Sequence, residues 1–366
     1  MATNTRSILL LFFFFLFASQ QQWLQQAQSK AHTWQEAFKA LGIAWNRDGT
    51  LNRTVQIPMA DATPYEDSTT PSPTVLSQDI TLNWKTKATV RLYRPAVIPP
   101  KKKLPLIIYL HGGDFVLYSA STVIYHNFCN DIAAAFPAIV ISVEYRLAPE
   151  NRLPAAYFDG LNAVLWAQNQ SLGIGGQDPW LEYADFTKTY LLGSSAGANI
   201  AYHVALQLLD YDLRPVKIKG LLMNQAFFGG LTRTQSEKNL IEDAYVPLYV
   251  NDVLWSLALP TYMNRDHEYC NPISGGSYMG RVKGLPKVYI KGDYGDPLVD
   301  RSILLAQYLQ SCKVPVYYRF NQGGYHGIEL QNTSAAQQLY NDMTWFVNDV
   351  YQNLNSQDLS HHHASY

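Results

Sequence analysis

The sequence predicts an α/β fold in which a mostly parallel central sheet is flanked by helices. Short apolar runs alternate along the chain with segments of helical length. These runs are continuous rather than alternating, which is typical of strands buried on both faces. The composition agrees, since 47% of the 366 residues are hydrophobic and only 16% are charged. That balance favours a large buried core over disorder.

Apolar periodicity locates the individual elements. An alternating pattern in Ile80–Trp84 and Ala88–Tyr93 predicts an antiparallel pair that bends at residues 84–87. The buried parallel strands are predicted at Leu106–Leu110, Ile139–Val143, Tyr190–Leu192, Ile218–Met223, Val288–Ile290 and Val316–Phe320. The helices are predicted at about Tyr125–Phe136, Ala155–Gln168, Ala198–Leu209, Ser302–Gln310 and Ala335–Tyr351. The segment Trp34–Pro73 mixes Pro, Thr, Asp and Ser with a few aromatics and is interpreted as an arm or partial lid rather than a sheet.

The first residues have the pattern of a secretory signal. Arg6 precedes an apolar run, Ile8–Phe17, of the length of a signal h-region and too short to span a bilayer easily. We therefore expect residues 1–29 to be a signal peptide, with residues 30–366 as a single domain. The cleavage point stays open between Ala18-Ser19 and Ala27-Gln28-Ser29, and an uncleaved anchor is the alternative.

The expected signal sets the compartment and the expected modifications. We expect a protein of the secretory pathway, which is secreted to the apoplast, vacuolar or retained in the endoplasmic reticulum, without a stable membrane span once the signal is removed. Asn52, Asn169 and Asn332 each begin an Asn-x-Ser/Thr sequon and are candidate glycosylation sites.

Charge and cysteine content exclude several functions. The 28 Lys+Arg and 29 Asp+Glu give a formal charge of -1, which leaves no basic excess for binding a nucleic-acid backbone. Cys129, Cys270 and Cys312 lie far apart and form no CxxC pair, so neither a zinc ribbon nor a dithiol redox motif is expected. At most one disulfide is possible. The sequence implies neither a metal nor an organic cofactor, and it leaves the oligomeric state open.

Gly193-Ser194-Ser195-Ala196-Gly197 is a candidate nucleophile elbow. It lies where a predicted strand ends at Leu192 and a helix starts at Ala198. In such a turn the serine adopts a strained backbone conformation, and small neighbours let strand and helix approach closely. Ser195 is therefore the candidate nucleophile.

His111-Gly112-Gly113-Asp114 directly follows the strand Leu106–Leu110 and is a candidate oxyanion loop. Gly112, Gly113, Asp114 and, from the elbow, Ala196 are the candidate oxyanion or substrate-binding residues; the alternative is an ordinary glycine turn. Asp114 leaves two orientations open. Its side chain either turns away to hydrogen-bond within the loop, or points into the site and favours a cationic substrate or takes part in proton transfer.

A serine nucleophile needs a base, and the base needs an orienting carboxylate. His326 follows the last predicted strand in a glycine-rich loop, and Asp296 follows the preceding strand. The order Ser, Asp, His is the one that the α/β-hydrolase fold uses. Asp293 and Asp300 compete for the carboxylate role; we expect Asp293 to bond in its turn and Asp300 to open or cap the next helix.

Several separated motifs together resemble the plant carboxylesterases of the hormone-sensitive-lipase branch of the α/β-hydrolases. The motifs are His111-Gly112-Gly113, Val143–Glu150 with Pro154–Ala156, Asp178–Leu181, Gly193–Ile200 and Asp296–Asp300. The resemblance covers about residues 75–350. It implies an α/β-hydrolase fold with cap segments at about 33–75 and 227–281. It also implies a triad of Ser195, Asp296 and His326, and oxyanion donors at the amides of Gly113, Asp114 and Ala196.

The resemblance implies a serine hydrolase that cleaves carboxylic esters of small molecules through an acyl-enzyme, in plant specialised metabolism. Because the family is functionally mixed, a non-hydrolytic cyclase, dehydratase or lyase of a metabolite such as an alkaloid is an alternative, and a non-catalytic small-molecule binder is a second. The retained His326 argues against a pure receptor. Ser194, where the family usually has an acidic residue, and Asp114, in place of the usual third glycine, are departures from the pattern.

Overall fold

The computed structural model describes residues 32–65, 73–83, 87–275 and 280–349. The predicted signal at residues 1–29 lies outside the described residues. Within the described ranges, no helix is both long and apolar enough to cross a membrane.

The strands and helices follow one another in the order expected of an α/β protein. The strands are β1 (Ile43–Trp45), β2 (Leu51–Arg53), β3 (Val75–Asn83), β4 (Ala88–Pro95), β5 (Leu104–Leu110), β6 (Ile139–Glu144), β7 (Ala184–Ser194), β8 (Ile218–Asn224), β9 (Lys287–Asp293) and β10 (Val316–Asn321). The helices are α1 (Trp34–Leu41), α2 (Val123–Ala135), α3 (Ala155–Ser171), α4 (Ala196–Leu208), α5 (Gln235–Asn239), α6 (Leu248–Ala258), α7 (Val299–Ser311) and α8 (Thr333–Val347).

The central sheet is mostly parallel, as predicted. In the described chain it has eight strands in the order β10-β9-β8-β7-β5-β6-β4-β3. Pairing is parallel from β10 to β6, whereas β6 with β4 and β4 with β3 pair antiparallel. The carboxyl ends of β5, β7, β8, β9 and β10 therefore lie at one edge, where ligands gather in sheets of this kind.

The apolar runs become strands because both faces of the sheet are buried. On β5, Leu106, Ile108 and Leu110 belong to one core cluster together with residues of α3, α4 and α7. Ile107 and Tyr109, with the opposite side-chain direction, belong to a second cluster with residues of α2 and α8. Helices thus cover each face of the sheet, and continuous rather than alternating hydrophobicity is the result.

The interpretation of residues 34–73 as an arm without a sheet is partly wrong. The segment contains α1, which begins at a capping box between Thr33 and Glu36, and a small antiparallel sheet made by β1 and β2. A turn joins the two strands: the Asn46 amide donates to the Thr50 carbonyl at 2.9 Å, and the Thr50 amide donates to Asp48 Oδ1 at 3.0 Å. Strands of three residues are too short to give a periodic pattern.

The arm is attached to the core through Arg53. Its guanidinium lies 2.9 Å from Glu150 Oε2, and it donates to the carbonyls of Val116 and Ala148 at 2.7 and 2.9 Å. Glu150 also accepts the Leu51 amide at 2.8 Å. The arm therefore contacts the chain segments that follow the candidate oxyanion loop and β6.

The segment between β8 and β9 carries α5 and α6 and contacts the arm. His32 hydrogen-bonds Glu242 at 2.8 Å and stacks on Tyr249 at 4.0 Å between ring centroids. Tyr245 of the same segment stacks on Tyr325 at 4.5 Å. Since Tyr325 precedes His326, this segment lies beside the carboxyl edge of the sheet.

Candidate active site

Ser195 occupies the turn between β7 and α4 in a strained conformation. Its backbone has φ 54° and ψ -121°, which L-residues rarely adopt. The flanking glycines are required by space: a Cβ at Gly193 would overlap the Gly197 carbonyl, and one at Gly197 would overlap the Leu110 carbonyl. The turn therefore places the serine hydroxyl at the carboxyl edge of the sheet.

The candidate oxyanion loop lies directly against this serine. A Cβ at Gly112 would come within 3.3 Å of the Ser195 Cβ. Tyr145 supports the loop from behind, because its hydroxyl donates to the His111 carbonyl at 2.9 Å and its ring stacks on His111 at 4.1 Å. In the described part of the chain, the amides of Gly113, Asp114 and Ala196 donate to no carbonyl outside regular secondary structure. These amides are the ones the sequence singled out as donors to an oxyanion.

The structure brings Ser195, His326 and Asp296 together in one hydrogen-bonded chain. His326 Nε2 lies 2.9 Å from Ser195 Oγ, and His326 Nδ1 lies 2.8 Å from Asp296 Oδ2. Asp296 is buried, and its second oxygen accepts the Leu298 amide at 2.9 Å. With Nδ1 donating to the carboxylate, Nε2 is free to accept the serine proton.

The two competing carboxylates have other partners. Asp293 is buried and pairs with Lys291 at 2.6 Å. Asp300 lies in the first turn of α7 and so opens this helix as expected, but its side chain does not cap α7 and instead accepts the Ser236 amide at 2.8 Å. Asp296 is thus the carboxylate that faces the imidazole.

Negative charge surrounds the imidazole. Burial alone would lower the pKa of His326, but the carboxylates of Asp296, Asp114 and Glu329 raise that pKa to about 9. Asp243, on the segment between β8 and β9, also interacts with His326, while burial raises the pKa of Asp243. A protonated imidazole is therefore strongly stabilised, as the transition state of serine attack requires.

Gln225 is a positioning residue that the sequence analysis missed. It is buried at the end of β8, with φ 46°, and binds the backbone on both sides of His326. Its Nε2 donates to the Tyr325 carbonyl at 2.8 Å, and its Oε1 accepts the Gly327 amide at 2.7 Å. Nε2 also lies 2.8 Å from Asp293 Oδ2, so the Lys291–Asp293 pair holds the glutamine in turn. The sequence feature that could have indicated a role for Gln225 is its position directly after a parallel strand, where ligand-binding residues gather.

Glu329 is a second residue that the sequence analysis passed over. It is buried two residues beyond Gly327, and its Oε1 accepts a hydrogen bond from Asn224 Nδ2 at 2.8 Å. Asn224 Nδ2 lies 3.5 Å from Ser194 Oγ. Burial raises the pKa of Glu329, while Lys291 and His326 act to lower it. Glu329 therefore places a carboxyl group behind the elbow, connected to Ser194 through Asn224.

Four aromatic residues lie near the motif loops or in the expected cap, namely Phe115, Tyr118, Phe227 and Phe228, and three of them belong to the core. Phe115, Phe227 and Phe228 are buried, and Phe227 stacks on Trp255 of α6 at 4.8 Å. Tyr118 is only partly buried and packs edge-on against Tyr125 at 5.7 Å. Tyr118 is therefore the one of the four that borders Asp114 and the loop.

The remaining candidate residues lie away from the triad. Asn52, Asn169 and Asn332 are all exposed. Cys129, Cys270 and Cys312 are free thiols, the first two buried. In the ranges that the structure describes, no group of three or more His, Cys, Asp or Glu side chains is arranged to hold a metal ion.

A family model for the alpha/beta hydrolase fold matches residues 107–330. Probable carboxylesterase 8 of Arabidopsis thaliana is 43% identical over 318 residues, which are 85% of this chain and 93% of that protein. The 3-O-acetylpapaveroxine carboxylesterase CXE2 of Papaver somniferum is 44% identical over 309 residues, 82% of this chain and 95% of that one.

Solved structures agree on the fold. An esterase of the archaeon Pyrobaculum calidifontis superposes with a TM-score of 0.63 at 24% identity, over 75% of this chain and 86% of that chain. The carboxylesterase EstE1, cloned from a metagenomic library, superposes with a TM-score of 0.64 at 20% identity, over 81% of this chain and 91% of that chain.

The activated serine is directly testable. A fluorophosphonate probe should label the protein at Ser195, and Ser195→Ala should abolish labelling. His326→Ala should slow labelling roughly 10³-fold or more, because an unassisted hydroxyl is hardly ionised at neutral pH. Ser194→Ala is the matched control and should label like the parent. Labelling of Ser195→Ala, read by in-gel fluorescence, would contradict the assignment.

Gln225 should control the rate at which Ser195 reacts. In Gln225→Ala the loop carrying His326 loses both of its side-chain contacts to Gln225, and we expect labelling to slow about 10- to 100-fold. A looser Nδ1–Asp296 contact should also lower the pKa of His326, so the labelling rate should titrate at lower pH.

Gln170 provides the control for this variant. It is also buried, and it binds the Gly176 carbonyl and the Asp178 amide at 3.0 and 2.7 Å. Gln170→Ala should unfold at a reduced temperature like Gln225→Ala, yet keep the rate and pH profile of the parent. Equal kinetic effects of the two substitutions would mean that Gln225 acts only through stability.

Proposed function

We propose, from the premise that this chain belongs to the plant carboxylesterase family of the α/β-hydrolases, that it cleaves small-molecule carboxylic esters through an acyl-enzyme on Ser195. The chain is a carboxylesterase-like hydrolase. The observation that carries the mechanism is the hydrogen-bonded chain from Ser195 through His326 to Asp296, at 2.9 and 2.8 Å.

Each step of the proposed reaction uses groups already in place. Ser195 Oγ attacks the ester carbonyl while His326 Nε2 takes its proton, and the carbonyl oxygen gains negative charge facing the loop amides. The bond to the alcohol then breaks as His326 returns the proton to the leaving oxygen. Water, deprotonated by the same imidazole, attacks the acyl-enzyme and releases the carboxylic acid. Asp296 keeps the imidazole in the productive tautomer throughout.

The substrate is proposed to be an ester of plant specialised metabolism. The Papaver somniferum relative, by its name, acts on 3-O-acetylpapaveroxine, and it matches 82% of this chain at 44% identity. The arm and the segment between β8 and β9, which touch through His32 and Glu242, are proposed to form a cap over the site. Tyr245 and Tyr325 then supply an aromatic wall next to His326.

A second candidate is a cyclase, dehydratase or lyase that uses the same triad to remove a proton from a metabolite. The carboxylates that face His326 favour this hypothesis, because they stabilise the imidazolium that forms when His326 removes a proton. A non-catalytic binder is the third candidate. The intact chain from Ser195 to Asp296 counts against it, since a binder has no need of an activated serine.

Solvent oxygen distinguishes these candidates. A p-nitrophenyl ester should give a burst of alcohol, and in ¹⁸O-water one heavy oxygen should enter the carboxylic acid, because water attacks the acyl-enzyme. Mass spectrometry of the acid measures this. With an alkyl ester that has a hydrogen on the carbon next to its C–O bond, elimination of the acyloxy group would release acid without solvent oxygen, and a binder would release no acid from either ester. Release of unlabelled acid, or no release of acid, would contradict hydrolysis.

We propose that the protein enters the secretory pathway and is glycosylated. Expressed in plant cells, it should migrate above its sequence mass and shift down after glycosidase treatment. Asn52 lies exposed on β2, so Asn52→Gln should lower the apparent mass by that of one glycan. Asn46→Gln, at an exposed asparagine outside any sequon, is the matched control. An unshifted protein in the cytosolic fraction would contradict the proposal.

A further inference from the structure

The carboxyl group of Asp114 lies beside the side chain of the reacting serine. Asp114 follows Gly113 in the oxyanion loop with φ 55°, and its Oδ1 is buried without a hydrogen-bond partner among the described residues. Its carboxyl group interacts with the side chains of Ser195 and His326. The alternative in which this side chain turns away to bond within the loop is therefore not the one that the structure adopts.

The charges around Asp114 do not balance when the triad is ready to react. Of the groups that act on its carboxyl, His326 is the cation and Asp296 is a second anion. Lys291 cannot compensate, because it is wholly buried against Asp293 at 2.6 Å. To act as a base His326 must be neutral, which leaves the Asp114 carboxylate buried without a counter-charge. An unpaired buried carboxylate is costly, and a proton or a ligand cation would relieve that cost.

We propose that Asp114 binds the cationic nitrogen of the substrate, so that the enzyme is specific for esters that carry an amine or ammonium group. This inference rests on the proposed function and names the substrate class of the same site. A cation at Asp114 supplies the missing counter-charge next to Ser195. The partly buried ring of Tyr118, which packs against Gly113, adds an aromatic face of the kind that stabilises alkylammonium groups.

The same carboxylate disfavours neutral esters. Negative charge develops on the carbonyl oxygen at the amides of this loop, and a carboxylate a few ångströms away opposes it. A bound cation cancels that opposition, whereas a neutral substrate leaves it in place. Burial raises the pKa of Asp114 to about 6 while His326 and Ser195 act to lower it, so a bound cation would favour the ionised carboxylate further. Attraction of cationic esters and the unfavourable effect on neutral esters together set the preference of the enzyme for cationic substrates.

An isosteric pair of substrates tests the inference. Acetylthiocholine and 3,3-dimethylbutyl thioacetate have the same shape and differ by one positive charge. We expect the parent to prefer the cationic thioester, and the ratio of the two kcat/KM values to fall at least about tenfold in Asp114→Asn. Asp243→Asn is the matched control, because Asp243 interacts with His326 while its oxygen accepts the amides of Tyr245 and Val246. Its ratio should stay near that of the parent.

The outcomes separate this inference from the proposed function. Hydrolysis of both thioesters with the same ratio in the parent and Asp114→Asn would overturn the cation site and leave the esterase intact. It would also be the result if Asp114 were protonated and acted as a neutral acid. An equal fall of the kcat/KM ratio in Asp114→Asn and Asp243→Asn would mean that the negative electrostatic potential of the whole site, and not contact with Asp114, selects the cation. That result would overturn the inference as well.

Two further measurements keep the inference testable. If the parent hydrolyses neither thioester, the hydrolysis proposal is in doubt, and the cation site is measured by protection of Ser195 from the fluorophosphonate probe. Choline should slow labelling of the parent more than its neutral isostere 3,3-dimethylbutan-1-ol, and this difference should vanish in Asp114→Asn. Equal protection by both would overturn the inference. If Asp114→Asn does not fold, Asp114→Gly gives the same comparison, since glycine accepts the positive φ.

Discussion

The close approach of β5, β7 and α4 at the elbow is the constraint on which the site depends. Only glycine fits at Gly193 and Gly197, because any Cβ would overlap the backbone of the facing element. This contact holds Ser195 in its strained conformation and also brings the end of β5 against it. Since the oxyanion loop begins directly after β5, one packing contact sets the position of the loop relative to the nucleophile.

A second constraint is electrostatic and concerns His326. Asp296, Asp114 and Glu329 all stabilise its protonated form, so the site favours the charge distribution of the transition state. The same carboxylates make the neutral base harder to obtain in the resting enzyme. The buried Lys291–Asp293 pair does not relieve this, because its interactions are used to hold Gln225 and, through it, the loop that carries the imidazole. The carboxylates around His326 set its charge state, and the Gln225 contacts set the position of the loop that carries it. These are two separate properties of the same region.

The sequence predicted the strands of the central sheet and the helices packed on it well, and the elements of the arm and of the segment between β8 and β9 poorly. Each buried run between Leu106 and Phe320 is a strand of the sheet, because a strand covered on both faces must be apolar throughout. The pair β1–β2 and helix α5 were missed, since three to five residues give no period to detect. The longer helices α1 and α6 were missed as well, because they lie in segments interpreted as arm and cap. Of the site, the positions of Ser195, Asp296 and His326 after strands were accessible from spacing. Gln225 and Glu329 were not, since nothing in a single glutamine or glutamate indicates which backbone or imidazole it will face.

By itself, the sequence determined the fold class, the order of the chemical groups along the chain and the strand ends that carry them, because burial and turn geometry leave local patterns. The tertiary structure brings Asp296, which the sequence favoured over Asp293 and Asp300, against the imidazole, because packing gives the other two carboxylates different partners. It also decided the orientation of Asp114. A loop side chain can turn either way, and its direction here depends on Ser195 and His326, which lie far away along the chain and adjacent in space.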